Sequence, residues 1–264
     1  MVSIKSLWPM LAALLIATTA AFVGFPLYIH HEVVKATGAY APLYLYERSP
    51  YDEIVLEVHY QQDAAPSDVA LEGLRQMLVN YTGKRVEVQK YGDLPASVVE
   101  GRVDDGNVSV IGAGIIERYG HCRMGWLGGS IPIYIIYVNA QGPSSNESEK
   151  VVGMSYRADS FVILKNYMDS ERLEEAVLIH EAGHLLGLEH CEDRKCVMAS
   201  VHLEKRSWKL YGGGPPTKFC PVHQKELEDR RHDPFYNSGP LFQNTMSPLT
   251  KALVRASAGS SSIF

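Results

Sequence analysis

The sequence is poor in cysteine, carries no strong excess of either charge and contains no internal repeat. Four cysteines in 264 residues are too few for a fold that depends on disulfide bonds. The formal net charge of -5 gives no strongly basic surface, so we expect no nucleic-acid partner. With 46% hydrophobic and 21% charged residues, the composition excludes a mainly disordered, collagen-like or many-spanning membrane protein. One ordinary domain, or two small ones, remains.

Charged side chains are also absent from residues 7–29. This run of 23 residues exceeds the roughly 20 that a membrane-spanning helix needs. We therefore expect a flank over residues 1–6, an uncleaved transmembrane anchor over 7–29 and a linker over 30–44. Two alternatives stay open: a cleaved signal peptide with its best site at residues 37–39, and a buried core helix, which the length and terminal position disfavour.

The sequence gives little indication of the orientation of this anchor, because one lysine flanks the run on each side, Lys5 before it and Lys35 after it. Three N-x-S/T sequons in the body, at Asn80, Asn107 and Asn146, favour export. We expect a single-pass membrane protein whose main domain lies on the extracytoplasmic side. If the leader is cleaved, the protein is secreted instead.

Strand and helix signals alternate over residues 45–235, which we expect to form the main domain. Short alternating or β-branched runs predict strands at residues 53–60, 85–89, 131–138, 151–156 and 160–164. Helices are predicted from Ser67 to about residue 80, and from Ser170 onward. This order predicts an α/β domain with a mixed, mostly parallel twisted sheet. Residues 236–264 are rich in Gly, Ser, Pro and Asn, and we expect a mobile tail there.

The second predicted helix carries the motif His180-Glu181-Ala182-Gly183-His184. Histidines four residues apart lie one turn above each other on one helix face, so two imidazoles can bind one metal ion. The adjacent Glu181 can reach a water at that metal. The pattern is typical of a zinc hydrolase with a carboxylate general base.

The residues that follow strengthen this interpretation. Gly187 comes three residues after His184, where a helix can end in a left-handed residue that glycine adopts freely. The chain can then turn back and bring His190 to the same metal. Three neutral imidazoles leave one position of a tetrahedral metal open, which is the arrangement of a catalytic zinc site.

With its third histidine, the motif resembles the signature of the metzincin metallopeptidases. Cys191 directly after His190, Cys196 and then Met198 resemble the archaemetzincins more closely. That resemblance implies an α/β metzincin-like domain with a zinc-binding active-site helix. It also implies that Met198 forms a Met-turn beneath the catalytic zinc.

The archaemetzincin resemblance further implies a second, structural zinc held by four cysteines. Here Cys191, Cys196 and Cys220 match, but His223 stands in place of the last cysteine. A Cys₃His set is an accepted structural zinc site. The alternative is a disulfide among these cysteines, because an exported domain meets an oxidising environment.

Cys122 is left without a role, and His121, His202, His30 and His31 have no partner at ligand spacing. We interpret these histidines as ordinary side chains and Cys122 as a small buried hydrophobe.

The sequence therefore predicts a membrane-anchored zinc metallopeptidase, either an endopeptidase or an aminopeptidase, that acts on a peptide or protein substrate. Glu181 is its expected general base. By resemblance to metzincins, the strand at residues 151–156 is the sheet edge that pairs with an extended substrate. Two alternatives stay open: a zinc hydrolase of a non-peptide amide, and a non-catalytic binding module stabilised by zinc. The presence of Glu181 disfavours the latter.

Overall fold

The computed structural model describes residues 12–13, 15–16, 31–99, 101–125, 128–142, 152–199 and 214–233. Most of the predicted anchor, the tail over 236–264, and His30 and His202 lie outside these ranges. Within the described residues, the structure contains no helix that is both long and apolar enough to span a bilayer.

Five strands form one sheet in the order β2-β1-β3-β5-β4. Their bounds are β1 Tyr51–Gln61, β2 Arg85–Leu94, β3 Gly129–Val138, β4 Gly153–Ser155 and β5 Ser160–Leu164. Strand β1 is parallel to β2 and β3, and β3 is parallel to β5, while β4 runs antiparallel to β5. The prediction of an α/β fold with a mixed, mostly parallel sheet is confirmed.

The helices described here are α1 Ala41–Leu45, α2 Asp68–Thr82, α3 Val108–Tyr119, α4 Glu171–Leu185 and α5 Pro221–His232. Helix α2 begins where the Ser67 hydroxyl accepts a hydrogen bond from the Ala70 amide, which satisfies one free N–H of the first turn. It ends at Gly83, whose φ of 68° is left-handed and costs glycine little.

Helices cover both faces of the sheet and divide the core into two layers. The larger layer contains α1, α2, α4 and part of α5, packed on strand residues such as Ile54, Leu56 and Ile133. The smaller layer packs α3 against the opposite face, on residues such as Ile136 and Val162. Because both faces are covered, β3 is apolar almost throughout, as is typical of a parallel central strand.

The segment that we expected to be a linker, residues 30–44, contributes to the core. Tyr44 and Leu45 of α1 are fully buried, and the Tyr44 hydroxyl donates a hydrogen bond to the Pro132 carbonyl at 3.0 Å. Val34 is buried as well, and its carbonyl accepts a hydrogen bond from the Ala158 amide. The folded domain therefore begins before residue 45.

Candidate metal centres

Helix α4 carries the first candidate centre, and its start follows from local sequence. The Ser170 hydroxyl accepts a hydrogen bond from the Leu173 amide at 3.2 Å, and Glu171 places a carboxylate near the positive end of the helix. The helix is buried over much of its length against α2, β4 and β5. His180 and His184 therefore project from a firmly held element.

The Nε2 atoms of His180, His184 and His190 form a nearly equilateral triangle. The three separations are 3.1, 3.2 and 3.2 Å. Ligand atoms that share a tetrahedral zinc at bond lengths of about 2.0–2.1 Å lie about 3.3 Å apart. The triangle therefore matches a zinc ion bound by three imidazoles.

The opposite ring nitrogens are fixed by backbone carbonyls. Nδ1 of His180 donates to the Val197 carbonyl at 2.7 Å, and Nδ1 of His184 donates to the Leu188 carbonyl at 2.9 Å. These bonds place the proton on Nδ1 and leave Nε2 with a lone pair for a metal. Burial and the neighbouring His180 lower the pKa of His184 to about 4, and burial lowers the pKa of His190. His184 is therefore neutral at pH 7, the protonation state that binds a metal.

The turn after α4 brings the third histidine back. Gly187 has a φ of 83°, the left-handed conformation expected at this position. The Leu188 amide donates to the Gly183 carbonyl at 2.9 Å, and Arg230 on α5 donates to the Gly187 carbonyl at 3.1 Å. Helix α5 thus helps to hold the turn that leads to His190.

Glu181 lies beside the triangle and is only 6% exposed. Its Oε2 accepts a hydrogen bond from the Ser155 hydroxyl at 2.6 Å. The same hydroxyl is 3.1 Å from the Glu181 backbone carbonyl. A Cβ built on Gly153 would lie only 2.7 Å from Oε1 of Glu181. Strand β4 therefore both binds this carboxylate and leaves it room by carrying a glycine.

Met198 is fully buried and packs against α4 at Gly183. Its sulfur would lie 2.5 Å from a Cβ added at Gly183. A glycine inside the histidine motif is thus what lets the methionine approach the helix. Its role with a bound metal stays a prediction.

The second candidate centre joins Cys191, Cys196, Cys220 and His223, whose ligand atoms all lie within 4.8 Å of one another. Cys196 Sγ is 3.3 Å from His223 Nδ1, and it accepts hydrogen bonds from the amides of Met198 and Cys220 at 3.4 and 3.2 Å. Burial raises the pKa of Cys196 to about 12 in the absence of a metal. A buried thiolate here needs a cation such as zinc.

Local structure explains how these four side chains meet. Cys220 is the N-cap of α5, and Pro221 occupies the first helical position, so His223 lies in the first turn. The Cys191 amide donates to the Met198 carbonyl at 2.9 Å, which closes the segment that carries Cys196. All four cysteines of the chain are free thiols in the structure, so it contains none of the alternative disulfides.

A third group contains His121, and the prediction that this histidine has no partner at ligand spacing is wrong. Glu57, His59 and His121 place one ligand atom each within 4.8 Å of one another. Cys122, to which we gave no role, donates its backbone N–H to Glu57 at 2.6 Å. Burial opposes the ionised form of Glu57, but hydrogen bonds from His59, His121 and Cys122 outweigh it and lower its pKa to about 2.

Sequence reasoning missed five residues that shape these sites: Gly153, Ser155, Gly183, Glu57 and His59. A glycine in a strand often marks close approach of another group, which could have singled out Gly153. Glu57 and His59 are two residues apart on one strand and so share a face, but nothing local links them to His121.

The part of the chain that carries the first centre is similar to proteins of a known family. A profile of Peptidase family M54 matches residues 129–212. That range contains the histidine motif, Glu181 and Met198, and it ends before Cys220 and His223. An archaemetzincin of Aeropyrum pernix is 62% identical over 34 residues, 13% of this chain and 18% of that protein. An archaemetzincin of Methanocaldococcus jannaschii is 34% identical over 70 residues, 25% of this chain and 33% of that protein.

The chain thus spans about a fifth to a third of the length of these curated relatives. Among solved structures, the archaemetzincin of Methanopyrus kandleri aligns with a TM-score of 0.47 at 18% identity, covering 69% of this chain and 96% of that one. The archaemetzincin of Archaeoglobus fulgidus complexed with malonate aligns with a TM-score of 0.36 at 16% identity, covering 65% and 98%.

The family match and the three-histidine motif make the chain similar to the zinc metallopeptidases. Within that class the similarity is to the archaemetzincins, and the resemblance inferred from the sequence is confirmed.

Proposed function

We propose that the chain is a zinc-dependent peptidase of metzincin type that hydrolyses peptide bonds at the site on α4. The observation that carries this proposal is the triangle of Nε2 atoms on His180, His184 and His190, with a buried glutamate beside it. A bound zinc ion would act there as a Lewis acid and would make water a nucleophile near neutral pH. The ligand set fits, because three neutral imidazoles leave one coordination position open.

Glu181 is the proposed general base. Its Oε2 is already engaged by Ser155, so Oε1 is the oxygen left to accept a proton from the attacking water. The same group can then deliver the proton to the leaving amine. Ser155 is the proposed positioning residue, because its hydroxyl donates a hydrogen bond to the Glu181 carboxylate.

The edge of the sheet supports a peptide substrate over a small amide. Strand β4 pairs with β5 on one side, and within the described residues no strand pairs with its other side. An unpaired edge can bind an extended peptide through backbone hydrogen bonds. Since Ser155 on β4 contacts Glu181, a peptide bound along this edge lies beside the proposed base.

We propose a second, structural zinc at Cys191, Cys196, Cys220 and His223. Four protein ligands close a tetrahedral site and leave no position for a substrate. This zinc would fix the start of α5, and through Arg230 and the Gly187 carbonyl it would support the turn before His190. Its proposed role is in folding rather than in the reaction.

The deciding experiment compares Glu181→Gln with Glu175→Gln. Both substitutions remove one carboxylate from α4, but Glu175 is not part of the proposed site. We expect Glu181→Gln to retain zinc and to lose about 10²–10⁴-fold in peptide hydrolysis, the usual contribution of a general base. Glu175→Gln should cleave peptides at the normal rate. Full activity of a zinc-loaded Glu181→Gln protein would remove Glu181 from this role.

A panel of substrates separates the alternatives. Cleavage of extended peptides, with small amides left intact, supports the peptidase. The reverse result would establish an amide hydrolase at the same residues. A zinc-loaded protein that cleaves neither would favour the non-catalytic binding module.

We also propose that residues 7–29 anchor the chain in a membrane, with the peptidase domain on the extracytoplasmic side. The uncharged length of the run supports this. The burial of Val34 and its hydrogen bond to Ala158 argue against cleavage at residues 37–39, because that cleavage would remove Val34 from the folded domain.

A further inference from the structure

Glu57, His59, His121 and Asp93 form a polar cluster. It lies on the face of the sheet opposite α4. Along β1, Ile54, Leu56 and Val58 face the core layer that contains α4. Because successive side chains of a strand point to opposite faces, Glu57 and His59 project to the other side. Both are 0% exposed. The cluster is separate from the two centres described above, because Cys196 and Cys220 lie with α4 in the core layer on the other face of the sheet.

Hydrogen bonds and ring stacking hold the candidate metal-ligand side chains of the cluster in place. Asp93 on β2 accepts a hydrogen bond from Nδ1 of His59 at 3.0 Å, which directs Nε2 of His59 toward Glu57 Oε1 at 2.7 Å. The loop after α3 supplies His121, whose Nδ1 is 3.6 Å from the same oxygen. The ring of His121 stacks on Tyr91, with 4.1 Å between centroids. Its side chain is 52% exposed, so the cluster is open to solvent on that side.

We propose that Glu57, His59 and His121 form a third zinc site, with Asp93 as the carboxylate that orients His59. Carboxylate and imidazole ligands suit zinc, and a metal-binding histidine commonly donates its other N–H to a carboxylate. Atoms that share a zinc ion at about 2.0–2.2 Å lie roughly 3–3.5 Å apart. The observed 2.7 and 3.6 Å separations bracket that range, so small side-chain adjustments admit the ion.

Charge balance supports a divalent cation. Among the described residues, no lysine or arginine forms an ion pair with Glu57 or Asp93, whose charged partners are the two histidines. A divalent ion would compensate the fully buried Glu57 carboxylate and the partly exposed Asp93 carboxylate, and buried charges are costly unless they are compensated. The bound ion would also tie β1 to the loop after α3.

The test counts zinc in the full-length protein and does not depend on peptidase activity. Wild type, His121→Ala and His232→Ala are dialysed to equilibrium against micromolar Zn²⁺, and the metal per chain is measured by mass spectrometry. His232 is the matched control, because it is 57% exposed and lies between the carboxylates of Glu47 and Glu228 but outside the cluster. His121→Ala alters an exposed side chain, so the fold should persist.

We expect wild type and His232→Ala to bind one zinc more than His121→Ala. Asp93→Asn should bind that zinc about 10- to 100-fold more weakly, as is usual when the orienting partner of a ligand is lost. Equal zinc counts in wild type and His121→Ala would overturn the proposal, and so would an equal loss in both histidine variants. Peptide hydrolysis by His121→Ala should match wild type, so a protein without peptidase activity would contradict the proposed function and leave this count valid.

Discussion

Replacing Gly153 with alanine tests whether strand β4 fixes the proposed base. The new Cβ would lie 2.7 Å from Oε1 and 2.9 Å from Cγ of Glu181, and 2.8 Å from a methyl group of Val177. Non-bonded carbon atoms normally meet at about 3.5 Å or more. The strand or the glutamate must therefore move by more than about half an ångström. Val177 is buried in the core, so the carboxylate is the easier group to displace.

The displacement should cost activity more than stability. A misplacement of about 1 Å can reduce a rate roughly 10²-fold, so we expect kcat to fall about 10- to 100-fold. Overpacking typically costs about 1–3 kcal/mol, which lowers the melting temperature by several degrees in a domain of this size. Zinc content should stay the same, because the atoms nearest the added Cβ belong to Glu181 and Val177 and not to the three proposed histidine ligands.

The assay measures kcat, KM, zinc content and melting temperature on one peptide substrate. Gly114→Ala on α3 is the matched control: an added Cβ there meets no atom within 4 Å, and alanine is the better helix former. That variant should be fully active and equally or more stable. Wild-type kcat in a folded, zinc-loaded Gly153→Ala protein would refute the idea that β4 positions Glu181.

Three other predictions concern separate parts of the molecule. Ser155→Ala should lower kcat about tenfold with little change in KM, because a hydrogen bond to a charged group is worth about 1.5–3 kcal/mol; Ser155→Thr should restore most of the rate, and identical kcat values in all three proteins would contradict this. His223→Ala should lower the melting temperature and should remove one zinc per chain, and mild chelation of wild type should abolish activity before the fold is lost; a wild-type protein with Cys191 in a disulfide by mass spectrometry would exclude the second site. The full chain should stay with membranes in carbonate, whereas a chain that begins at residue 31 should be soluble; a mature N-terminus near residue 40 would instead establish a cleaved leader.

The elements that the sequence predicted well have strong local signals. Strand β5 spans the predicted residues 160–164, and Ser170 is the N-cap of α4 as expected. The two histidines of α4 could be placed because helical spacing alone puts them on one face. The grouping of Cys191, Cys196, Cys220 and His223 was predicted from the family resemblance together with the ligand-like C-x₄-C and C-x-x-H spacings.

The elements that were missed depend on contacts between distant segments. Helix α3 was not predicted, and its Gly112 weakens the local helix signal. The glycine is required because a Cβ there would lie 2.0 Å from the Tyr156 hydroxyl. Helix α5 is highly polar and buries only His223 and Leu227, so it has no apolar stripe to detect. The partnership of His59 with His121 joins residues far apart in sequence, which no local pattern reveals.

The adjacency of His190 and Cys191 has a consequence for metal affinity at the proposed catalytic centre. His190 lies in the chain beyond α4. Its contribution to zinc affinity therefore depends on its effective concentration near the imidazoles of His180 and His184. Anchoring Cys191 restrains the far end of the short segment 185–190, in addition to the hydrogen bonds that hold Gly187 and Leu188. Oxidation of these cysteines, or loss of a metal bound to them, would then change the zinc affinity of the proposed catalytic centre. The two ions would be thermodynamically coupled although they share no ligand.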